Sequence, residues 1–275
     1  MYYSKYNVGN VLNDTSFTGK NPFKTQEPFI RIEGRWSTLS ENEVVISGFE
    51  EDKPLSNQTL GRVTSVKMDN NMVMKFKVKG TGNEGDAMLI SLTGALTAGE
   101  SGGRIDHFID LNFTGWRDFV ILDSDNAEYD TDKYTFDGIN TTGMQYSTYR
   151  TVPGYKHINK VTVRLCGATA GNAYITPIKG YLQTEAPVKN PTITVGNSSI
   201  TFNATLQGSD FIEFDPVTRK AYLTKADQSV TEITYSGKLE IPTGSFNGTY
   251  TATAETDAPV RAKVVFGFSG IEITN

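Results

Sequence analysis

The stretch Met72-Val-Met-Lys-Phe-Lys-Val78 decides how the chain is read. Its even-numbered positions are apolar, while Lys75 and Lys77 fall on the other side. A period of two with one dry and one wet face belongs to a strand of an antiparallel sheet. The alternation recurs in Val161-Thr-Val-Arg-Leu-Cys166, where Val161, Val163 and Leu165 oppose Lys160, Thr162 and Arg164. Near the C-terminus Val260, Ala262, Val264, Phe266 and Phe268 alternate with Arg261 and Lys263.

The composition extends this pattern to the whole chain. Among 275 residues there are 34 threonines, 26 glycines and 28 Phe plus Tyr, which suits pleated, half-buried surfaces joined by tight turns. No segment sustains a 3.6-residue period, so any helix is short. About ten strand-like segments lie in residues 27–186 and seven or eight in the remaining residues. The two prolines of Ala186-Pro-Val-Lys-Asn-Pro191 favour extended backbone and mark the clearest boundary, and a softer one falls at Lys20-Asn-Pro-Phe-Lys24. The expected organisation is all-β: a tail or linker remnant at 1–26, a jelly-roll sandwich at 27–186 and a smaller Ig-like sandwich at 187–275.

Charge and special residues exclude several chemistries. A net charge of −5 argues against a nucleic-acid partner, which needs clustered excess Lys and Arg. Cys166 is the single cysteine, so an intrachain disulfide and a Cys-rich metal site are ruled out, and its strand setting suits a small buried or half-buried thiol. His107 and His157 are the only histidines. The uncharged, apolar-leaning stretch at residues 87–99 is 13 residues long, short of the ~20 mostly apolar residues that a membrane-spanning helix needs. Membrane insertion is not expected. The N-terminal Met-Tyr-Tyr-Ser-Lys-Tyr-Asn lacks an apolar signal core, yet chains this rich in Thr, Asn and Gly are commonly extracellular or surface-attached. The expectation is an extracellular piece of a longer precursor.

The stretch Gly103-Arg-Ile-Asp-His-Phe-Ile-Asp-Leu-Asn-Phe-Thr-Gly-Trp-Arg-Asp-Phe-Val-Ile121 resembles the D-F-T-G-W-[RK] strand pair of galactose-binding-like carbohydrate-binding modules. Ile158-Asn-Lys-Val-Thr-Val-Arg-Leu165 and Ala173-Tyr-Ile-Thr-Pro-Ile-Lys179 resemble their paired final strands, and the resemblance spans roughly residues 28–185. Leu206-Gln-Gly-Ser-Asp-Phe-Ile-Glu-Phe214 resembles C-terminal sandwiches of polysaccharide-degrading proteins and those of phage distal tail proteins. The resemblance implies a polysaccharide or oligosaccharide partner and an attached catalytic domain in the full-length protein.

A sugar site joins a flat aromatic surface to planar polar side chains that read hydroxyls. The densest such mixture, residues 129–155, contains Tyr146, Tyr149 and Arg150. In a strand, Tyr146 and Arg150 share one face and Tyr149 takes the other. With Arg104, Asp106 and Arg164 from neighbouring candidate strands they form the expected ligand platform; the competing reading is solvated sheet residues beside core tyrosines. Trp36 is evenly placed between core and ligand contact, whereas Trp116 is expected in the core.

Asp123, Asp125, Asp130 and Asp132 lie in an acidic stretch able to ligate calcium, although it lacks EF-hand spacing. Modules of the resembling family often hold a structural calcium, which makes that ion the expected cofactor, if any. G-x-S-x-G, H-E-x-x-H and P-loop motifs are absent. A lyase using His107 and Arg104 is disfavoured because the two alternate to opposite faces of a regular strand. The leading expectation is therefore non-catalytic polysaccharide binding that targets an attached glycan-degrading enzyme to its substrate. The alternatives are a phage-tail or cell-surface assembly protein acting through protein contacts, and a β-sandwich hydrolase or lyase.

Overall fold

The computed structural model describes residues 2–9, 14–34, 37–57, 66–67, 72–95, 104–122, 146–150, 157–208, 210–254 and 260–270. These residues form strands almost throughout, with two short 3₁₀ turns. Among them no helix is long and apolar enough to cross a membrane. The chain divides into two compact units, and the division is not sequential. The first unit joins residues 1–9 and 13–38 to 184–275, and the second is built mainly on residues 39–183.

Three strands open the chain: β1 (Tyr2–Val8), β2 (Ser16–Asn21) and β3 (Phe29–Gly34). Ten more make up the second unit. In chain order they are β4 (Ser37–Ser47), β5 (Val66–Lys67), β6 (Met72–Lys79), β7 (Ala87–Ala95) and β8 (Arg104–Asp110). Then come β9 (Trp116–Leu122), β10 (Tyr146–Arg150), β11 (His157–Cys166), β12 (Tyr174–Ile175) and β13 (Ile178–Glu185). One sheet runs β10-β8-β7-β11-β5; the other centres on β6, flanked by β9 on one side and by β12 and β13 on the other, with β4 beyond β13. Alternation puts Met74, Phe76 and Val78 of one sheet and Met88, Ile90, Leu92, Val161 and Val163 of the other into one buried cluster. The unit is therefore sandwich-like.

The chain then returns to the first unit through β14 (Val188–Val195), β15 (Ser198–Phe202), β16 (Thr205–Leu206), β17 (Phe211–Asp215) and β18 (Lys220–Thr224). It ends with β19 (Val230–Ile233), β20 (Tyr235–Lys238), β21 (Gly244–Ala254) and β22 (Ala262–Phe268). One sheet has the order β1-β22-β3-β17-β18-β19 and the other β2-β21-β14-β15-β20, with β16 on β14.

The N-terminal residues are part of this unit, unlike the tail expected from the sequence. Strand β1 pairs with β22 over seven residues, β2 pairs with β21 over six, and β3 sits between β22 and β17. A single buried row crosses the sheet as Tyr6, Val264, Ile32 and Ile212. The two sheets of the unit meet through aromatic rings: Tyr6 and Phe17 lie 4.9 Å apart, and both pack against Phe246 and Phe266. Phe17 stands opposite Gly248 in the ladder, and its ring fills the space that a side chain there would need.

The proline segment lies close to the division between the units, which falls at 183/184, but its prolines do not interrupt the strand that follows. Strand β14 continues through Pro191 because its ladder with β21 skips from Lys189 to Thr192. Asn190 adopts a left-handed conformation (φ 53°), and its N–H donates to the Ala204 carbonyl at 2.9 Å. A bulge lets proline sit in a strand without leaving a ladder carbonyl unmet.

Two outcomes test the interleaved first unit. A fragment of residues 187–275 lacks Tyr6, Phe17, Ile30 and Ile32 and is expected to show no cooperative thermal transition; a sharp transition would contradict the strand order. Within the full chain, Phe17→Ala is expected to lower the stability of the first unit by about 3–5 kcal/mol in denaturant titration.

Candidate functional site

The sheet β10-β8-β7-β11-β5 gathers the residues expected to form a ligand platform, and its register sorts them. Asp106 lies opposite Ser91 on one side and Tyr149 on the other, and Ser91 lies opposite Thr162. Arg104 is two positions from Asp106 on the same strand and pairs with Thr93, while Arg164, two from Thr162, pairs with Leu89, so Asp106 and Arg164 fall on one face. In the ladder Tyr146 lies opposite Ile109 and Arg150 opposite Ile105. The six are spread over β8, β10 and β11 of this one sheet.

The face that carries Asp106 is closed at its centre. Asp106 is 2% exposed and accepts a 2.6 Å hydrogen bond from the Ser91 hydroxyl. Leu89 and Phe108 beside it are buried as well. What remains accessible is the strip along β11, where Lys160 and Arg164 are exposed and Thr162 is half-buried. His107 points the other way, opposite Ile90, and is fully buried. Desolvation lowers its pKa to about 3, so it is a neutral core residue rather than a solvent-facing acid or base. Cys166 is half-buried. Trp36 and the acidic residues Asp123, Asp125, Asp130 and Asp132 lie outside the described residues. Among the described residues no group of three or more His, Cys, Asp or Glu is placed to hold a metal ion.

A different surface of the same unit carries an aromatic row. In β6, Met74, Phe76 and Val78 are buried, which leaves Lys75, Lys77 and Lys79 on the outer face. Lys79 pairs in register with Trp116 of β9 on one side and Tyr174 of β12 on the other. Trp116 is 41% exposed and Tyr174 half-buried. The Lys79 ammonium sits 5.1 Å from the centre of the Tyr174 ring, a cation–π contact that holds the ring against the sheet. In the next row Lys77 pairs with Asp118, their charged groups 3.9 Å apart, and the Thr176 hydroxyl accepts the Lys77 N–H at 2.9 Å.

Local sequence explains why Trp116 faces outward. After β8 the chain crosses to the other sheet through a turn in which the Asn112 N–H donates to Asp110 Oδ1 and the Phe113 N–H to the Leu111 carbonyl. Phe113, not Trp116, takes the buried place, 6.4 Å from Phe119 and beneath the Arg117 guanidinium. Gly115 then adopts φ 79°, a conformation that glycine enters without strain, and delivers Trp116 opposite Lys79. The expectation of a core tryptophan is thus reversed. The alternation Phe113, Arg117 and Phe119 against Trp116 and Asp118 was present in the sequence, but without the turn geometry it did not say which side was inner.

Compared with protein-family models, curated proteins and solved structures, the chain matches none. Its functional reading therefore rests on the geometry of its own residues.

The buried imidazole makes a pH prediction. An unfolded histidine titrates near 6.5, and the folded His107 only near 3, so in that interval the unfolded state binds the extra proton. Its contribution to stability is complete above ~6.5 and is lost as the pH falls, by about 1.4 kcal/mol per unit. Denaturant titrations between pH 7 and 4 should show this slope, and His107→Phe should flatten it by one proton's worth. An unchanged slope in the variant would mean that other groups carry the acid sensitivity.

Proposed function

We propose that this chain binds a polysaccharide without cleaving it, and that its role is to hold an attached glycan-degrading enzyme against its substrate. The observation that supports this is the outer row of Trp116, Lys79 and Tyr174. An indole left two-fifths exposed forgoes burial that its ring would otherwise gain, and a glycan ring supplies an apolar C–H face to cover it. Trp116 and Tyr174 lie two strand spacings apart, ~10 Å, about the length of two sugar units, so alternate sugars of an extended chain meet the two rings. Lys77, Lys79 and Asp118 surround them with donors and an acceptor for hydroxyls. Each contact is weak, and a repeating polymer offers many equivalent registers, which raises the effective concentration of whatever the chain is joined to.

The sandwich-like second unit fits this reading as a galactose-binding-like jelly roll, and the first unit as an Ig-like partner. A calcium ion on the acidic stretch of Asp123, Asp125, Asp130 and Asp132 and an extracellular setting belong to the same proposal.

Affinity gel electrophoresis against a panel of soluble polysaccharides, with and without a calcium chelator, tests it. At least one polysaccharide should retard the protein. Trp116→Ala should weaken that retardation tenfold or more while the protein still melts cooperatively, and Arg164→Ala should leave it unchanged. If Arg164→Ala abolishes retardation and Trp116→Ala does not, the site lies along β11. If nothing in the panel retards the wild type, carbohydrate binding is rejected and an assembly role gains ground, with light scattering as its test. Loss on chelation would give the acidic stretch its calcium.

A further inference from the structure

We propose that the outer row of the second unit selects an acidic polysaccharide, one that carries carboxylate or sulfate groups along its length. The inference rests on the polysaccharide reading above and names the class of polymer. Its source is the set of charges that share a face with Trp116 and Tyr174.

Strand β6 carries Lys75, Lys77 and Lys79 in succession on its outer side, because Met74, Phe76 and Val78 take the inner one. Alternate residues of a strand lie ~6.8 Å apart, so the three ammonium groups form a ladder along one strand. Lys179 of β13 stands opposite Lys75 and adds a fourth lysine to the face. Among the described side chains of β6, β9, β12 and β13, Asp118 is the one carboxylate. Its Oδ1 lies 3.9 Å from the Lys77 ammonium, too far for a hydrogen bond.

Lysines of the first unit are matched more closely. Lys220 meets Glu232 at 3.0 Å, Lys225 meets Asp210 at 2.7 Å and Lys238 meets Glu240 at 2.5 Å. Among the described residues no carboxylate comes as near to Lys75, Lys77 or Lys79. The part of the face open to a polymer is the end that bears Lys77 and Lys79. Both are exposed, whereas Val120, opposite Lys75, is buried.

Position then decides the preference. Lys79 stands between Trp116 and Tyr174 in its register row, so a glycan chain resting on both rings passes over the ammonium. The contact with the Tyr174 ring at 5.1 Å fixes the ammonium without neutralising it. A neutral sugar laid over that charge strips its water and offers no opposite charge in return, which costs free energy. A carboxylate or sulfate on the sugar between the two stacked ones supplies it. Lys77 lies one alternate position along the strand and is placed for a second anionic group on the same flank of the polymer. A local cluster of like charge also draws an oppositely charged polymer toward the row, despite the net charge of −5.

Isothermal titration calorimetry of the full chain compares two matched pairs: polygalacturonate with its carboxyl-reduced form, and dextran sulfate with dextran. Poly-glutamate serves as an anionic polymer without sugar. At low salt at least one acidic member should bind tenfold or more tighter than its neutral counterpart, and the pair that responds tells carboxylate from sulfate. About 1 M salt, where the screening length is ~3 Å, should remove most of that advantage. Lys77→Met and Lys79→Met keep the aliphatic stem and should each weaken acidic binding about threefold, the size of an exposed ion contact. Asp118→Asn should strengthen it by about the same factor. Equal binding of the acidic and neutral members overturns the inference and leaves polysaccharide binding standing. Failure of both acidic members to bind overturns it too, and the wider polysaccharide panel then decides whether the reading beneath it survives. Poly-glutamate binding as tightly as the acidic polysaccharides also overturns it, because the face would then read charge alone.

Discussion

The ladder that seats β3 between β22 and β17 is the constraint on which the first unit depends. Strand β3 contributes Ile30 and Ile32 to the centre of the core and supplies hydrogen-bonding partners on both of its edges. Without it, β22 and β17 would each present an open edge in the middle of a sheet, and β1 would extend a ribbon cut off from β17, β18 and β19. The 145 residues of 39–183 are thus enclosed in sequence by a sandwich whose halves cannot close separately. Such closure needs contacts between residues more than 200 positions apart, and its loop-closure entropy is recovered only when the aromatic contacts of Tyr6, Phe17, Phe246 and Phe266 form.

This explains which parts of the fold were readable from sequence. Alternation within a strand is local, so β6, β8, β11, β17 and β22 could be recognised within a residue or two of their bounds. Strands β1 and β2 could not, because their apolar positions are sparse. In Ser16-Phe-Thr-Gly-Lys-Asn21 the buried positions are Phe17, Gly19 and Asn21, and only Phe17 has an apolar side chain. Gly19 belongs there because the rings of Phe246 and Tyr6 occupy the space over it, and those rings come from other strands. The prolines of 186–191 mark the division between the units to within three residues, yet Pro191 does not stop β14, because the bulge at Asn190 carries the ladder past it.

The candidate site shows the same division between local and non-local information. Reading β8 as an alternating strand separated Arg104 and Asp106 from His107, which the register bears out. Asp106 nevertheless does not meet water, because β7 is buried along both faces from Ala87 to Leu92. One dry and one wet face is a property of a sheet covered on one side only. Nothing in Met88-Leu-Ile-Ser-Leu92 says whether Leu89 and Ser91 meet water, and the burial of Asp106 follows from that. Trp116 failed in the opposite direction. Aromatic residues are read as core because most are, and it took Phe113 filling the core beside Phe119 to leave the tryptophan outside.

The charge around that tryptophan also qualifies what the composition implies about partners. A net charge of −5 describes the whole surface, but a ligand lying on the β6 sheet meets Lys75, Lys77 and Lys79 on one face, offset in the described rows by Asp118. At physiological salt the screening length is ~8 Å, shorter than the reach of this strip, so the local balance outweighs the distant excess of carboxylates. The strip is therefore locally positive within a chain of net negative charge.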